Sequence, residues 1–207
     1  MSLVKVKQLQ EKLALKVITK NVLPLKIIKV CGVDVSYKDN IAYGAAVILD
    51  RNKKEVIEVT KSTLKVTSPY IPGLFVLREA RPILKTLDKL TKDFDLLLID
   101  GNGQLHPRRC GLACYIGLVL DKPVIGVAKN LLCGKVKRDK TVEYEGKIIG
   151  YEINHKGKKI YVSVGHKVSL KKSVSIVKGL LGKNWLPEPL RLADVYSKIH
   201  SKTNHCY

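Results

Sequence analysis

Three carboxylates stand in segments that are otherwise apolar, where a charge is costly unless it binds a partner. Asp34 interrupts the run VCGVDVSY, Asp100 ends the run FDLLLID, and Glu79 falls on the apolar stripe of a predicted helix. The end of a buried strand is where α/β sheets place their ligands. Carboxylate oxygens are the ligands that Mg²⁺ prefers, and bound Mg²⁺ can activate water and polarise a phosphodiester. The placement therefore predicts a metal site for phosphodiester chemistry.

Each of these carboxylates also has an ordinary structural explanation. Asp34 can be a buried aspartate with a hydrogen-bonding partner, Glu79 can pair with a neighbouring arginine, and Asp100 can simply open a turn. Asp194, in the late segment RLADVYSKI, is a fourth candidate, and its ordinary alternative is a surface position. One such residue means little, whereas convergence of several of them would indicate a metal centre.

The charge of the chain predicts an anionic partner. There are 38 Lys and Arg residues against 18 Asp and Glu, giving a formal net charge of +20 over 207 residues. Such an excess attracts polyanions, with nucleic acid the first class to consider and an acidic membrane surface the second. A basic surface around an acidic pocket suits a nuclease. The alternative from another class is a non-catalytic nucleic-acid-binding protein, which would gain nothing from carboxylates inside its cationic face.

Nothing in the sequence predicts membrane insertion or export. The apolar runs are far shorter than the roughly 20 residues of a spanning helix, and the N-terminus lacks the continuous apolar stretch of a signal peptide. The five cysteines are scattered, odd in number and without a Cys-x-x-Cys pair, which favours reduced thiols over disulfides or zinc. We therefore expect a cytoplasmic protein.

The order of predicted elements indicates an α/β fold. An amphipathic first helix precedes LKIIKVCGVDVSY, IAYGAAVILD and EVIEVTKSTLKV, whose short connections predict an antiparallel meander. A helical pattern over 68–90, which Pro82 should kink or divide, leads to the strand FDLLLID, the helix RCGLACYIGLVL and the strand KPVIGVA. A hairpin over 147–165 and two helices follow. A mixed sheet of three antiparallel strands plus parallel strands, flanked by helices, is the ribonuclease H-like pattern, here in one domain over 1–207.

Six segments carry a more specific signal. GVDVSY, PYIPGLFVLRE, DGNGQLHPRRCGLACYIG, PVIGVAKN, YVSVGHKVSL and LPEPLRLAD follow one another over nearly the whole chain. Together they resemble the endonuclease V family, the deoxyinosine 3′ endonucleases, in the family's own order. The resemblance implies a ribonuclease H-like fold and Mg²⁺-dependent cleavage, with Mn²⁺ as a substitute. It also implies nicking at the second phosphodiester bond 3′ to deoxyinosine, which leaves a 3′-hydroxyl and a 5′-phosphate.

The resemblance implies roles for individual residues. The acidic site would comprise Asp34, Glu79, Asp100 and Asp194, with metal held by Asp34, Asp100 and Asp194. Lys129 of GVAK would lie by the scissile phosphate, and His106 of HPRR would serve the active site or the backbone near it. The predicted substrate-binding residues are Tyr70, Gly73, Phe75, Gly101, Arg108, Leu112 and Gly126.

These binding residues would divide the work. Tyr70 of PYIP would be a wedge that separates the strands, and the apolar and glycine positions would shape the base pocket. Gly101 and Gly103 would let the backbone approach a flipped base closely. Arg108 and Arg109 would offer planar forks for phosphate.

The chain departs from the family pattern at a few positions. Asn102 and Tyr115 stand where the family commonly has His, and VSVGH replaces VSPGH. These departures bear on fine positioning more than on the class of reaction. The expected partner is DNA containing deoxyinosine, bound by a monomer. Because the family includes members that favour RNA, an inosine-specific endoribonuclease or a structure-specific nuclease of the same fold stays open.

Overall fold

The computed structural model describes residues 3–66 and 76–203, and within them nine strands form one mixed sheet. The strands are β1 (Lys29–Lys38), β2 (Ile41–Asp50), β3 (Glu55–Lys65), β4 (Leu96–Asp100), β5 (Val124–Ala128), β6 (Lys135–Val136), β7 (Thr141–Tyr144), β8 (Lys147–His155) and β9 (Lys158–His166). The helices in these ranges are α1 (Leu3–Ala14), α2 (Val76–Leu87), α3 (Leu112–Leu120), α4 (Leu170–Leu180) and α5 (Glu188–Thr203).

The sheet has the strand order β3-β2-β1-β4-β5-β9-β8-β7-β6. The strands β1, β2 and β3 form an antiparallel meander, and β4 and β5 continue the sheet parallel to β1. The hairpin of β8 and β9 then adds antiparallel strands beyond β5. The α/β class and the ribonuclease H-like arrangement predicted from the sequence are confirmed.

The strand β4 explains why the sheet is covered on both faces. Its side chains alternate, so that Leu96 and Leu98 join one apolar cluster while Leu97 and Ile99 join another. The first cluster receives residues of α4 and α5, and the second receives residues of α2 and α3. A strand that is apolar on every residue needs helices on both sides, which is the usual state of a parallel strand.

The register of β1 and β4 sets the position of two carboxylates. Val33 of β1 is paired with Ile99 of β4 in parallel register, and Asp34 and Asp100 are the next residues of the two strands. Because neighbouring parallel strands share their pleat, the two aspartates point to the same face, which is the face covered by α5. The strand pairing therefore forces two charges side by side at the edge of the core.

Two features of the secondary structure differ from the prediction. Of the two outcomes predicted for Pro82, a kink or a division of the helix, the division does not occur, because α2 runs through this residue. Proline removes the N–H that would bind the carbonyl of Arg78 four residues earlier, and that carbonyl accepts a hydrogen bond from the hydroxyl of Tyr37 at 3.4 Å instead. The short strands β6 and β7, which extend the sheet beyond β8, were not predicted, since they are too short for a periodic pattern to stand out.

Other expectations concern the cysteines and the membrane. Cys31, Cys110, Cys114 and Cys133 are free thiols, as predicted, and Cys206 lies outside the described residues. No helix in the part of the chain that the structure describes is long and apolar enough to cross a bilayer.

A glycine permits the contact between β1 and α5. A Cβ atom built on Gly32 would lie 2.4 Å from the carbonyl carbon of Pro189, a backbone atom in the first turn of α5. We expect Gly32→Ala to lower the free energy of unfolding by about 1–3 kcal/mol, because the helix must move away from the sheet. Gly182→Ala is the control, since nothing lies within 4 Å of its added methyl group. Urea denaturation that shows equal losses for both variants would contradict this packing.

Candidate active site

A cleft of about 570 Å³ opens at the edge of the sheet where β4 and β5 end. Its walls come from β1, from the loops that follow β4 and β5, and from one face each of α2 and α5, with Gln10 of α1 and Leu112 of α3 completing them. The acidic, basic and histidine residues that line it are Asp34, Arg78, Glu79, Asp100, His106, Lys129, Asp194 and Lys198. Four carboxylates and several cationic groups therefore share one concave surface.

Asp34 is the residue whose charge is most crowded by like charges. Burial is the largest cause that raises its pKa, and the neighbouring carboxylates of Asp100 and Asp194 raise it further, to about 6. The hydroxyl of Ser197 on α5 donates a hydrogen bond to Oδ2 of Asp34 at 3.3 Å. The neutral hydroxyl of Ser197 orients the carboxylate of Asp34 but does not neutralise its charge. The negative charge of Asp34 therefore favours a cation nearby.

Lys129 supplies positive charge to the carboxylates. Its Nζ lies 2.5 Å from Oδ2 of Asp100 and 4.0 Å from Oδ1 of Asp194. Partial burial opposes the charge of Lys129, but the carboxylates of Asp100, Asp34 and Asp194 raise its pKa above the ordinary value. On the outer side of the cleft, Nζ of Lys198 lies 2.8 Å from Oδ2 of Asp194. The acidic cluster thus already attracts cationic groups of the chain itself.

Glu79 sits in the first turn of α2 and is only 5% exposed. Burial raises its pKa to about 8, a hydrogen bond from Tyr37 opposes this rise, and the charge of Asp34 adds to it. The guanidinium of Arg78 lies 4.2 Å from the centre of the Tyr37 ring, which fixes the ring beside the helix. Tyr37 therefore connects β1 to the acidic residue of α2.

The loop after β4 packs tightly between β5 and β9. A Cβ atom on Gly103 would lie 2.1 Å from the carbonyl oxygen of Val164, and the N–H of Gly103 donates to Oγ of Ser163 at 2.9 Å. Gly103 is therefore required by the packing of the loop on β9. This differs from the expectation that Gly103 serves the approach of a base. Gly101 has only ordinary contacts with the side chain of Leu112, and both residues line the cleft.

His106 occupies a buried position in this loop, with 3% of its surface exposed. Its Nδ1 accepts a hydrogen bond from the backbone N–H of Arg108 at 3.2 Å. This acceptor role places the proton of the neutral ring on Nε2. The ring is therefore oriented by the main chain of the loop that it belongs to.

Comparison with known proteins places the chain in a family. The family model for endonuclease V matches residues 10–195. An endonuclease V of Thermofilum pendens is 38% identical over 98% of this chain and 90% of its own. The crystal structure of endonuclease V from Streptomyces avermitilis has a TM-score of 0.87 at 32% identity, covering 98% of this chain and 94% of that one.

The chain belongs to the endonuclease V family.

A third relative was crystallised with nucleic acid. Endonuclease V of Ciona intestinalis, in complex with a 24mer DNA containing an inosine followed by a ribo-adenosine, has a TM-score of 0.88 at 28% identity, over 98% of both chains. Membership of the endonuclease V family makes this protein a nuclease that hydrolyses phosphodiester bonds. The resemblance seen in the sequence segments is thereby confirmed, and so is the fold that it implied.

The endonuclease V cleft brings together many of the residues singled out in the sequence. Those that line it are Asp34, Glu79, Asp100, Gly101, His106, Leu112, Lys129 and Asp194. Arg108 and Gly126 do not line it: Arg108 binds Gln10 behind the wall, and Gly126 of β5 packs under the carbonyl of Gly101. Tyr70, Gly73 and Phe75 lie outside the described residues.

Asn102 and Tyr115, two of the positions that depart from the family pattern, have different surroundings in the structure. The side-chain oxygen Oδ1 of Asn102 is buried without a hydrogen-bond partner in the described part of the chain, and the residue lines the cleft. Tyr115 is partly buried in α3 and packs on the apolar cluster beneath α2 and α3. Asn102 thus faces the site, whereas Tyr115 supports the core.

Sequence reasoning missed several residues of the cleft, among them the polar residues Gln10, Tyr37, Arg78 and Lys198. Gln10 and Lys198 lie in amphipathic helices whose register alone does not reveal a site. Tyr37 lies three residues after Asp34. Its place beside the cleft becomes evident only because β1 continues as far as Lys38. Arg78 adjoins Glu79, and the expectation that Glu79 pairs with an arginine pointed toward it.

The carboxylates of the cleft affect stability in a way that can be measured. Because the pKa of Asp34 rises from 3.8 to about 6 on folding, the metal-free protein should lose stability as the pH increases from about 4 to about 6. We expect Asp34→Asn in EDTA at pH 7.5 to be more stable than the parent chain by about 1–2 kcal/mol. This estimate is discounted because the side chain keeps some contact with solvent.

Thermal unfolding at pH 4.5 and pH 7.5 checks this prediction. The advantage of Asp34→Asn should shrink at the lower pH, where the aspartate is protonated in the folded state. Asp88→Asn serves as the control, since Asp88 is exposed at the end of α2. An Asp34→Asn protein that is less stable than the parent at pH 7.5 would show that the repulsion is not felt.

Proposed function

We propose that this endonuclease V family member is a metal-dependent repair enzyme that cleaves nucleic acid near inosine. It would hydrolyse the second phosphodiester bond 3′ to the lesion, leaving a 3′-hydroxyl and a 5′-phosphate. The observation that carries the proposal is the convergence of Asp34, Glu79, Asp100, Asp194 and Lys129 in one cleft of a strongly basic protein. The inosine-containing DNA bound by the Ciona intestinalis relative supports the choice of lesion.

The donor set of the cleft fits a hard divalent cation. Asp34, Asp100 and Asp194 offer carboxylate oxygens only, which are the ligands that Mg²⁺ and Mn²⁺ prefer. In the described residues no three acidic, histidine or cysteine side chains already converge in a ligating geometry, and the ammonium of Lys129 lies between two of the carboxylates. Asp34 and Asp100 would hold the cation, with Asp194 beside them. Such an ion supplies an activated water and polarises the phosphoryl oxygens.

Three further residues would act on protons and phosphate. In the metal-free cleft the buried carboxyl of Glu79, with a pKa of about 8, holds a proton at neutral pH; a cation beside Asp34 and Asp100 would favour its release to water in the cleft. The ammonium of Lys129 can move from Asp100 to the scissile phosphate and offset the charge that develops there. His106, whose Nδ1 accepts the N–H of Arg108, lines the cleft beside these residues and would contact the backbone of the strand there.

The lesion would be read outside the duplex stack. Hypoxanthine differs from adenine by an oxygen in place of an amino group, and this edge is hidden until the base is turned out. A backbone N–H near Gly73, or in the segment around Gly101, would bind the oxygen and offer no acceptor to the amino group of adenine. The N–H of Gly101 itself already donates to the carbonyl of Val127 at 3.1 Å, so the donor would come from a neighbouring residue. Gly101 and Leu112 line the cleft beside Asp100, so a base pocket there would adjoin the hydrolytic site.

An inosine-specific endoribonuclease is the second candidate. The observation that favours it is the ribo-adenosine that follows the inosine in the strand bound by the Ciona intestinalis relative. Recognition of ribose depends on contacts with the 2′-hydroxyl. Such contacts would be added to the site, and the residues proposed for hydrolysis would be the same. Both candidates share one mechanism and differ in the sugar on the 3′ side of the base.

Cleavage of matched oligonucleotides tests the proposal. The chain should nick DNA that contains one hypoxanthine, in the presence of Mg²⁺ or Mn²⁺, and leave the same strand with adenine intact. Addition of EDTA should stop the reaction, because the carboxylates alone cannot activate water. The same pair of strands made of RNA separates the deoxyribonuclease from the endoribonuclease, and mass spectrometry of the products identifies the bond that is cut.

Asp100→Asn is the matched variant for this assay. It should reduce the rate by at least about a hundredfold while binding of the oligonucleotide persists, since the basic surface is unchanged. Asp93→Asn is the control, because Asp93 is an exposed carboxylate that pairs with Lys122 away from the cleft. Equal cleavage of hypoxanthine and adenine strands, or full activity of Asp100→Asn, would refute the proposal.

A separate prediction concerns strand separation by Tyr70. Turning out a base from a duplex costs a few kcal/mol, and an aromatic wedge recovers about 1–3 kcal/mol of stacking. Tyr70→Ala should therefore slow cleavage of double-stranded hypoxanthine DNA roughly tenfold or more, with a much smaller effect on a single strand. Single-turnover rates on both substrates provide the measurement. Equal losses on both would assign the tyrosine to base stacking or loop packing instead.

A further inference from the structure

Lys198 of α5 is a residue of the cleft whose ammonium group is in contact with solvent. Its side chain lines the cleft and is 61% exposed. Its Nζ lies 2.8 Å from Oδ2 of Asp194, which is one turn earlier on the same helix. An ammonium group carries three N–H donors. One bond to a carboxylate at this exposed position therefore leaves donors for a second anion.

The ion pair with Asp194 holds the ammonium group of Lys198 only weakly. An exposed pair at positions i and i+4, with the acid first, changes the equilibrium of a helix by a factor of about two. The docking of α5 depends instead on buried residues such as Leu190 and Ala193. The stability of the helix thus gives little reason for a lysine at position 198, and the ammonium group can leave Asp194 when a polyanion arrives.

Two ammonium groups flank the carboxylate of Asp194. Its Oδ1 lies 4.0 Å from Nζ of Lys129, whereas its Oδ2 faces Nζ of Lys198. Lys129 also binds Asp100, one of the carboxylates that would hold the cation. Lys198 lies on the other oxygen of Asp194, toward the outer side of the cleft. Since a single carboxylate separates the two positive charges, they can contact successive phosphates of one strand.

The acidic wall of the cleft would repel a strand in the absence of Lys198. A strand that brings a phosphodiester to Asp34 and Asp100 carries its neighbouring phosphate past Asp194, whose side chain is 20% exposed. Like charges at such short range are costly where the surroundings are only partly aqueous. The ammonium group of Lys198 covers the outer oxygen of Asp194 and so makes this part of the wall attractive to phosphate.

We propose that Lys198 is a second phosphate-binding residue of the cleft, which contacts the phosphate next to the scissile one. The proposal rests on the proposed function only in assigning the scissile phosphate to Lys129. On binding, the ammonium group moves from Oδ2 of Asp194 to a phosphate oxygen, so one charge-assisted hydrogen bond replaces another. Because the phosphate that Lys198 contacts does not react, the contact holds the strand in register and takes no part in the cleavage step.

Substitutions on α5 separate a phosphate contact from general attraction. Lys198→Gln removes the positive charge and keeps a polar side chain in the cleft. Lys202→Gln makes the same change of net charge at an exposed position one turn further along the helix, which does not line the cleft. Lys198→Arg is the conservative variant that keeps the charge. Affinity for a fluorescent duplex is measured by anisotropy in EDTA over a range of NaCl, with hypoxanthine or adenine at one position.

Lys198→Gln should remove one phosphate contact. The slope of log affinity against log salt should become shallower by about 0.9, and Kd should rise roughly five- to tenfold at low salt. Lys202→Gln should change Kd by less than about twofold, because its charge is exposed and screened. Lys198→Arg should retain the slope and the affinity of the parent chain within about twofold. In the cleavage assay the loss for Lys198→Gln should fall on KM rather than on kcat.

A role confined to the ion pair predicts a different pattern. If Lys198 only held Asp194 in place, its loss would change the thermal stability and the affinity for Mn²⁺, and the salt dependence of duplex binding would stay the same. Thermal unfolding and calorimetric titration with Mn²⁺, both without nucleic acid, measure these two quantities. Circular dichroism confirms that each variant is folded at the assay temperature.

Two results would overturn the inference. One is a salt slope for Lys198→Gln that equals the slope of the parent chain. The other is an equal loss of affinity for Lys198→Gln and Lys202→Gln, which would indicate attraction by net charge alone. Both readouts are also taken on the adenine duplex, so they decide the role of Lys198 even if hypoxanthine is not preferred. Absence of that preference would overturn the proposed function alone.

Discussion

The repulsion between Asp34 and Asp100 is the constraint around which the site is arranged. Parallel pairing of β1 and β4 places the two carboxylates in adjacent positions on one face of the sheet, and a one-residue slip of either strand would exchange the side chains that pack into the two apolar clusters. The register that builds the core therefore also builds the acidic pair. Partial burial makes the pair expensive in the absence of a cation, and Lys129 is held in place by this local excess of negative charge.

The charge of the protein acts differently at long range and within the cleft. The net charge of +20 attracts a polyanion from a distance and without regard to its sequence. Within the cleft the sign is reversed, so the phosphate backbone can come close to Asp34 and Asp100 only if positive charge lies between them. Lys129 and Lys198 stand at this boundary, with their ammonium groups on Asp100 and Asp194. Binding and hydrolysis are thus separated by geometry, although they act on the same strand.

The sequence indicated which carboxylates would lie together in the cleft, because a charge in an apolar run is a strong local signal. Asp34 and Asp100 could be identified from the strands that surround them, and the resemblance to a family added Lys129 and His106. Contacts between distant segments could not be predicted in this way. Gln10 meets Arg108 across 98 positions, and no periodic pattern within α1 reveals that partner.

Backbone chemistry accounts for the remaining differences between expectation and structure. Pro82 does not divide α2, and the carbonyl of Arg78 that it leaves without a helical donor accepts a hydrogen bond from Tyr37. Gly103 was assigned to base recognition because glycine permits close approach of any group, and the group turned out to be β9. In both cases the sequence identified a residue with a special backbone role, whereas the group that it meets belongs to a distant segment of the chain.

The cleft draws its parts from both ends of the chain. Gln10 lies in the first helix, Asp34 in the first strand, and Asp194 and Ser197 in the last helix, so that the bond from Ser197 to Asp34 spans 163 positions. Closing contacts of such long sequence separation is slow, because the entropy of loop closure must be overcome before the contacts stabilise the fold. Because α5 must dock on β1 to bring Ser197 to Asp34, the acidic pocket is complete only once these distant segments have met.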